Sequence, residues 1–174
     1  MKVSINKSKI EGKVTAPSSK SYTIRGLICA ALAKGRSEII HPLSSDDTEA
    51  AGKVLGQLGV NILKDEDCWQ VSGGHLKKPA EALFCRDSAA TFRFMTAVCA
   101  LVPGKYRLLA GPSLSKRPIV PLLQALGQLG VNCRTEGASV IVDGGRLKGG
   151  VAELAGDISS QFVSALLLVA PLAE

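Results

Sequence analysis

The sequence predicts an α/β protein assembled from a repeated unit of about 70 residues, and three observations carry that prediction. The heptapeptide Leu-Gly-Gln-Leu-Gly-Val-Asn stands at 55–61 and again at 126–132, 71 residues later. Each copy closes an amphipathic helix on a glycine, Gly59 or Gly130. A strand, a polar turn and a second strand ending on a glycine pair then follow, at Gly73-Gly74 and Gly144-Gly145. A second type of helix, rich in Ala and Leu and opened by small polar residues, recurs over Ser19 to Ala33, Ser88 to Leu101 and Ser159 to Leu172. The unit therefore reads strand, helix, strand, helix, strand, strand.

The first unit runs from about Lys13 to Leu83. Pro17 ends an extended run, and Ser18 or Ser19 caps the coming helix. Ser44-Ser45-Asp46-Asp47-Thr48-Glu49 reads as an N-cap with acids in the first turn of the helix Glu49 to Leu58, which suits the positive end of the helix dipole. Trp69 and Val71 alternate as a strand after the turn Lys64-Asp65-Glu66-Asp67. In the second unit, Phe84 to Leu154, Pro118 and Pro121 fall in the first turn of the helix Ile119 to Leu129, where a missing N–H costs little. A third unit starts near Ala155 and stops after its first helix. A unit with one apolar face cannot bury it alone, so the helices are expected to pack together inside and the sheets outside. The chain is accordingly expected to be an N-terminal piece of a longer protein, or to have its open face covered by something else.

At 174 residues with 46% hydrophobic composition, the chain can build a sizeable core, but aromatics are only 4%. Ala, Leu, Val and Ile must supply that core, and stacking platforms for single-stranded nucleic acid are nearly absent. The net charge of +6 suits anionic partners, yet the bases are scattered rather than clustered, so small phosphorylated ligands fit as well as polymers. The five cysteines form no CxxC, and His41 and His75 lack ligand-like spacing, so no metal site is expected. Their odd number argues for a reducing compartment, and Cys29 and Cys99, in apolar helical stretches, are expected to be buried. The N-terminal stretch 1–14 alternates like a strand and has no signal-peptide core. The longest apolar run, Ala165 to Ala173, is broken by Pro171 and too short to span a membrane. A cytoplasmic protein follows.

Three helix starts carry the chemistry. In Pro17-Ser-Ser-Lys-Ser-Tyr-Thr-Ile-Arg25, the helix N–H groups, Lys20, Ser21 and Arg25 offer donors to an anion. No glycine precedes Lys20-Ser21 to let backbone amides wrap a nucleotide phosphate, so a P-loop does not fit. Ser115-Lys116-Arg117 precedes a second helix, and Gly156-Asp-Ile-Ser-Ser-Gln-Phe162 opens the third small-residue helix with two hydroxyls and an amide. Each feature alone also reads as ordinary capping or solvated bases. Register favours a site, because the repeat makes Ser19-Lys20-Ser21, Asp87 to Thr91 and Ser159-Ser160 equivalent. Three such helix starts side by side would converge on one anionic pocket. A non-catalytic anion-binding or phosphate-binding repeat module remains an alternative.

These segments, with Ser45-Asp-Asp-Thr48 and Ser115-Lys-Arg-Pro-Ile119, resemble in order and spacing the N-terminal half of the 5-enolpyruvylshikimate-3-phosphate synthase family, over essentially the whole chain. The related UDP-N-acetylglucosamine enolpyruvyl transferase is disfavoured by Ser21, because its first site typically reads Lys-Asn. The resemblance implies two inverse α/β domains, each of three βαβαββ units, with the site in the cleft between them. Residues 1–12 would belong to the second domain and 13–174 to the N-terminal one, which lacks the end of its third unit. It implies that Ser21, Arg25, Ser159, Ser160 and Gln161 hold shikimate 3-phosphate, with the serines on the phosphate and Arg25 on the carboxylate. Lys20 would lie between both substrates as the catalytic cation, and Arg117, Ala89 and Gln161 would meet phosphoenolpyruvate. The implied reaction protonates the enolpyruvyl methylene, adds the 5-hydroxyl at C2 and expels phosphate, with no metal or cofactor. The remaining carboxylates and cations would come from a missing C-terminal domain. A whole enzyme is expected to be a monomer, whereas this chain is expected to show half a site and no turnover on its own, with self-association through its uncovered face left open.

The family's loop usually reads Gly-Asn-(Ala/Ser)-Gly-Thr, and here it is Arg86-Asp87-Ser88-Ala89-Ala90-Thr91. The Ala89 methyl is expected to project into the phosphoenolpyruvate pocket and weaken a bulkier mimic such as glyphosate. Asp87 places a negative charge beside an anion, to be offset by Arg86 or Arg93.

Overall fold

The structure is a computed structural model that describes residues 2–174. The first helix, α1 (Lys20–Leu32), starts where Ser19 accepts the Tyr22 amide, and β1 (Gly35–Ile40) follows directly. The helix α2 (Asp46–Gln57) begins three residues before the Glu49 start that the sequence predicts, and Ser45 and Thr48 form a reciprocal capping box there. The hairpin β2 (Asn61–Lys64) and β3 (Cys68–Gly73) completes a three-stranded antiparallel sheet in the order β1-β3-β2, with Gly35 opposite Gly73.

The same sequence of elements then recurs with one more strand. Short β4 (Leu83–Phe84) leads into α3 (Ala89–Leu101), β5 (Gly104–Leu109), α4 (Val120–Gln128), β6 (Asn132–Glu136) and β7 (Ser139–Gly144). They form a four-stranded sheet in the order β4-β5-β7-β6, in which β4 runs parallel to β5 and Gly104 faces Gly144. A final helix, α5 (Ser160–Val169), ends in a 3-10 turn around Pro171.

Two predicted strands are absent among the described residues. The alternation over 1–14 forms no strand over residues 2–14, and Met1 lies outside the described residues. Ile10 and Val14 are 96% and 94% exposed, because nothing lies beside the segment to accept its ladder hydrogen bonds. Residues 155–159, before α5, are likewise without a strand, for the same want of a partner.

The core is one continuous apolar cluster with α3 at its centre. Every residue from Thr91 to Ala100 is buried, as expected for a helix apolar all round, and α3 packs on β7 and β5 and against α5, α2 and α1. The glycines that end β3 and β7 let each sheet approach a helix end: the Gly74 amide donates to Ala31 and the Gly145 amide to Ala100, at 2.9 and 2.8 Å. Cys99 is buried, but Cys29 is exposed, correcting the expectation that both lie inside. Cys29 falls on the side of α1 that looks over a shallow groove beside β1, lined by Gly26, Ala33 and Ile39. None of the helices is long and apolar enough to cross a membrane, and the described residues contain no cluster of three metal-ligating side chains.

Candidate functional site

The starts of α1 and α5 lie open, and that of α3 does not. Ser88 and Thr91 cap α3 from inside the protein, at 1% and 0% exposure, and the Thr91 hydroxyl donates to the Asp47 carbonyl. The expected set of three equivalent open helix ends is therefore two, and α3 reaches the same face through a side chain one turn further on. That side chain is Arg93.

Arg25 and Arg93 both cross to α5. The Arg25 guanidinium donates to the Ser164 hydroxyl at 3.1 Å and to the Ser21 carbonyl at 3.2 Å, and lies 5.0 Å from the centroid of the Phe94 ring. Arg93 donates through Nη1 to Ser159 Oγ at 3.1 Å and Gln161 Oε1 at 2.8 Å, and through Nη2 to the Pro118 carbonyl at 3.1 Å. Its plane sits 4.8 Å from the Phe162 ring centroid. Pro118 follows Arg117, so Arg93 also draws the start of α4 to this face. Burial first, and the Arg117 charge second, push the Arg93 pKa down. Two cations held near each other in this way leave a local excess of positive charge.

Among the described residues, no carboxylate forms an ion pair with Arg25, Arg93 or Arg117. Lys20 does have one, in Asp47 at the start of α2, and Arg86 is paired with Asp46 beside it. Each pair has one partner more than half exposed, Lys20 at 51% and Asp46 at 70%, so solvent weakens both and leaves Lys20 within reach of an anion. Ser21, Ser160 and Arg117 are exposed, while Arg25, Ser159 and Gln161 are half-buried. The arrangement is an open, cationic, donor-rich surface suited to binding oxyanions.

Asp87 behaves differently from its expected role. Its Oδ1 accepts the backbone amides of Ser113 and Leu114, at 3.0 and 2.9 Å, and so caps the 3-10 turn Leu114–Lys116. Neither Arg86 nor Arg93 hydrogen-bonds or ion-pairs with it: the first pairs with Asp46 and the second serves α5 and Pro118. Backbone amides offset the charge instead. Arg86 takes the left-handed φ of +51°. Ala89, the first residue of α3, is half-buried and packs against the core edge.

Arg93 is the residue that sequence reasoning underused, having entered only as a partner for Asp87. A signal was available in AATFRFMTAVCAL, where it is the lone charge in an otherwise apolar helix. A charge in that position has to be given hydrogen-bond acceptors.

A family profile described as EPSP synthase (3-phosphoshikimate 1-carboxyvinyltransferase) matches residues 5–174. The chain is 54% identical over 173 residues to a 3-phosphoshikimate 1-carboxyvinyltransferase of Dehalococcoides mccartyi, covering 98% of this chain and 41% of that protein. It is 44% identical over 180 residues to the enzyme of that name from Methanococcoides burtonii, covering 100% of this chain and 42% of the relative. Among solved structures, EPSP synthase from Acinetobacter baumannii superposes with a TM-score of 0.84 at 29% identity, over 94% of this chain and 38% of that one. The chain thus spans about two-fifths of the length of the curated relatives it matches.

Proposed function

This chain belongs to the EPSP synthase family, and from that premise we propose that it supplies the shikimate-3-phosphate side of an enolpyruvyl transfer site. The reaction is transfer of enolpyruvate from phosphoenolpyruvate to the 5-hydroxyl of shikimate 3-phosphate, with release of phosphate, in aromatic amino-acid biosynthesis in the cytoplasm. The observation that carries this reading is the pair of arginines without carboxylate partners, Arg25 and Arg93, which bring α1 and α3 onto the hydroxyls and amide of α5.

In this reading Ser159, Ser160 and Gln161 bind the phosphate at the open start of α5. Arg25 and Ser21 take the carboxylate and ring end, and Lys20 stands between the two substrates. Arg117, with Ala89 and Gln161, receives phosphoenolpyruvate. Cations placed around two anions lower the barrier by positioning them and stabilising charge that develops during addition and elimination. The fold reading that accompanies it is an inverse α/β domain of repeated βαβαββ units formed by residues 13–174, expected from the sequence as two complete and a third begun; the second has all six elements, while the first, from α1 to β3, lacks its opening strand. Residues 1–12 pair with a second domain, which supplies the other half of the cleft. The exposure of Ile5 and Ile10 supports that assignment, since both need a partner to be buried.

Calorimetric titration of the chain with shikimate 3-phosphate, alongside shikimate and inorganic phosphate, tests the reading. Saturable binding that needs both ring and phosphate, and that Arg25→Ala abolishes, is the expected result. Salt-sensitive binding of any polyanion, without preference for the phosphosugar acid, would favour a general anion-binding module and reject the proposal.

A further inference from the structure

Arg93 does more than add charge. Only 7% of it is exposed, and its two terminal nitrogens serve three acceptors on two other elements, Ser159 and Gln161 at the start of α5 and the Pro118 carbonyl before α4. A guanidinium has donors and no acceptor, so any group facing it must present an oxygen lone pair. That constraint decides which way two ambivalent groups on α5 are turned.

Serine hydroxyls and glutamine amides can each donate or accept, and a hydroxyl or amide at a protein surface normally switches between the two. Here Ser159 Oγ accepts from Arg93 Nη1 and also from the Gln161 backbone amide at 3.3 Å, which occupies both of its lone pairs. Its one hydrogen is then the only thing left to offer outward. Gln161 gives its carbonyl oxygen to Arg93, so its NH2 is the end that remains for a ligand. The amide cannot be turned round without setting NH2 against N–H.

We infer that Arg93 is a positioning residue that fixes Ser159 and Gln161 as donors, so that the open end of α5 selects a ligand group with acceptors only, a dianionic phosphoryl group, over one that carries hydroxyl donors. The inference deepens the proposed function and rests on its placing of a phosphoryl group at α5, but it concerns the polarity of that end and not the identity of the rest of the substrate. The cation–π contact with Phe162 and the Pro118 bond keep the guanidinium in register, so the donor pattern is set before any ligand arrives.

The test is calorimetric titration of the 174-residue chain and three variants with inorganic phosphate, shikimate 3-phosphate and shikimate, with melting temperatures recorded in parallel. Arg93→Met keeps an apolar stem against Phe162 but frees both groups to rotate, and is expected to weaken phosphate binding about tenfold, the effect of losing one organised hydrogen bond. It should also shrink the preference for shikimate 3-phosphate over shikimate. Arg93→Lys retains donors toward α5 and is expected to recover part of both. Gln161→Glu keeps its oxygen on Arg93, and with it the fold, but turns an acceptor toward the anion; its phosphate affinity is expected to fall further than that of Arg93→Met while its melting temperature holds. If Arg93→Met fails to fold, Gln161→Glu decides alone. Wild-type affinity in Gln161→Glu, an unchanged preference in folded Arg93→Met, or no phosphate binding by the wild-type chain would each overturn the inference. Phosphate binding that responds to these variants, without preference for the phosphosugar acid, would support it while rejecting the proposed function.

Discussion

The carboxylate of Asp87 lies 2.9 Å from the amide nitrogen of Leu114 and accepts its hydrogen bond, with the neighbouring Ser113 amide on the same oxygen. The loop before α3 is thereby sewn to the loop before Arg117, and the Gly111 amide adds a third stitch to the Arg86 carbonyl at 2.7 Å. An acid that looks like an obstacle to anion binding is the device that holds the Arg117 segment in place.

Asp87→Asn retains an oxygen acceptor of the same shape and is expected to cost less than about 1 kcal/mol, whereas Asp87→Ala leaves two amides without their acceptor and is expected to cost about 1–2 kcal/mol. Urea denaturation of the two variants reads the difference. Equal costs would show that the carboxylate oxygen does not hold the loop.

Ala89 stands at the first turn of α3, close to where phosphoenolpyruvate is proposed to bind. In an active enzyme carrying this segment, Ala89→Gly is expected to increase inhibition by glyphosate while changing the KM for phosphoenolpyruvate much less, because the methyl obstructs the longer ligand more than the compact one. Steady-state inhibition assays of the pair measure this, and an unchanged inhibition constant would remove Ala89 from the pocket.

Gly73 and Gly144 have no room for a side chain. A Cβ at Gly73 would stand 2.0 Å from the Ala30 carbonyl oxygen, and one at Gly144 would stand 2.1 Å from that of Cys99. Backbone atoms cannot move aside as a flexible side chain does, so Gly73→Ala and Gly144→Ala are each expected to destabilise by about 3 kcal/mol or more. Gly56→Ala, on an open helix surface, serves as the control and is expected to be neutral or stabilising. Thermal melts of the three compare them directly.

The thiols divide by burial. Cys29 is exposed and is expected to react first with a disulfide reagent, while Cys85 and Cys99 are expected to react only on unfolding. Burial raises the pKa of both, with the Cys85 charge adding to the effect at Cys99. Burial, and then Asp143, take Cys133 up to about 11, and burial, and then Cys99, take Tyr106 up to about 12. These groups are neutral when protonated, and the folded state holds their protons more tightly than the unfolded chain does. Their contribution to stability is complete below the unfolded values, 9.0 for Cys and 10.0 for Tyr, and is lost as pH rises through the folded ones. Denaturation midpoints are therefore expected to fall between pH 9 and pH 11, and a rise over that interval would contradict the assignment.

Local chemistry was legible in the sequence wherever it repeats or caps. Ser19, Ser45, Ser88 and Ser159 were readable as helix starts because a hydroxyl before an apolar helical pattern satisfies an amide that the helix leaves free, and each does so in the structure. Gly59 and Gly130 marked helix ends because the chain turns there through positive φ, at +89° and +86°. The identical heptapeptides then set two helix-hairpin segments in register, and each lies on its own sheet.

Tertiary structure decided everything that depends on a partner distant in the chain. The alternation at 2–14 has the period of a strand, but a strand exists only where another edge accepts its hydrogen bonds, and none is beside it. Cys29 has an apolar neighbourhood in sequence and still faces outward, because the side of α1 that packs inward carries Ile24, Leu27, Ile28 and Ala31. Likewise the residue types of the face proposed to bind an anion are visible in order along the chain, while the polarity of that face is not. Whether Ser159 and Gln161 donate or accept depends on Arg93, 66 and 68 residues away, and a bond of that kind forms only once α3 and α5 are packed. The sequence by itself determined which segments become helices and strands and which side chains can meet an anion, since those choices rest on neighbours a few residues apart. Only packing determined which of them meet, and with which atoms turned outward.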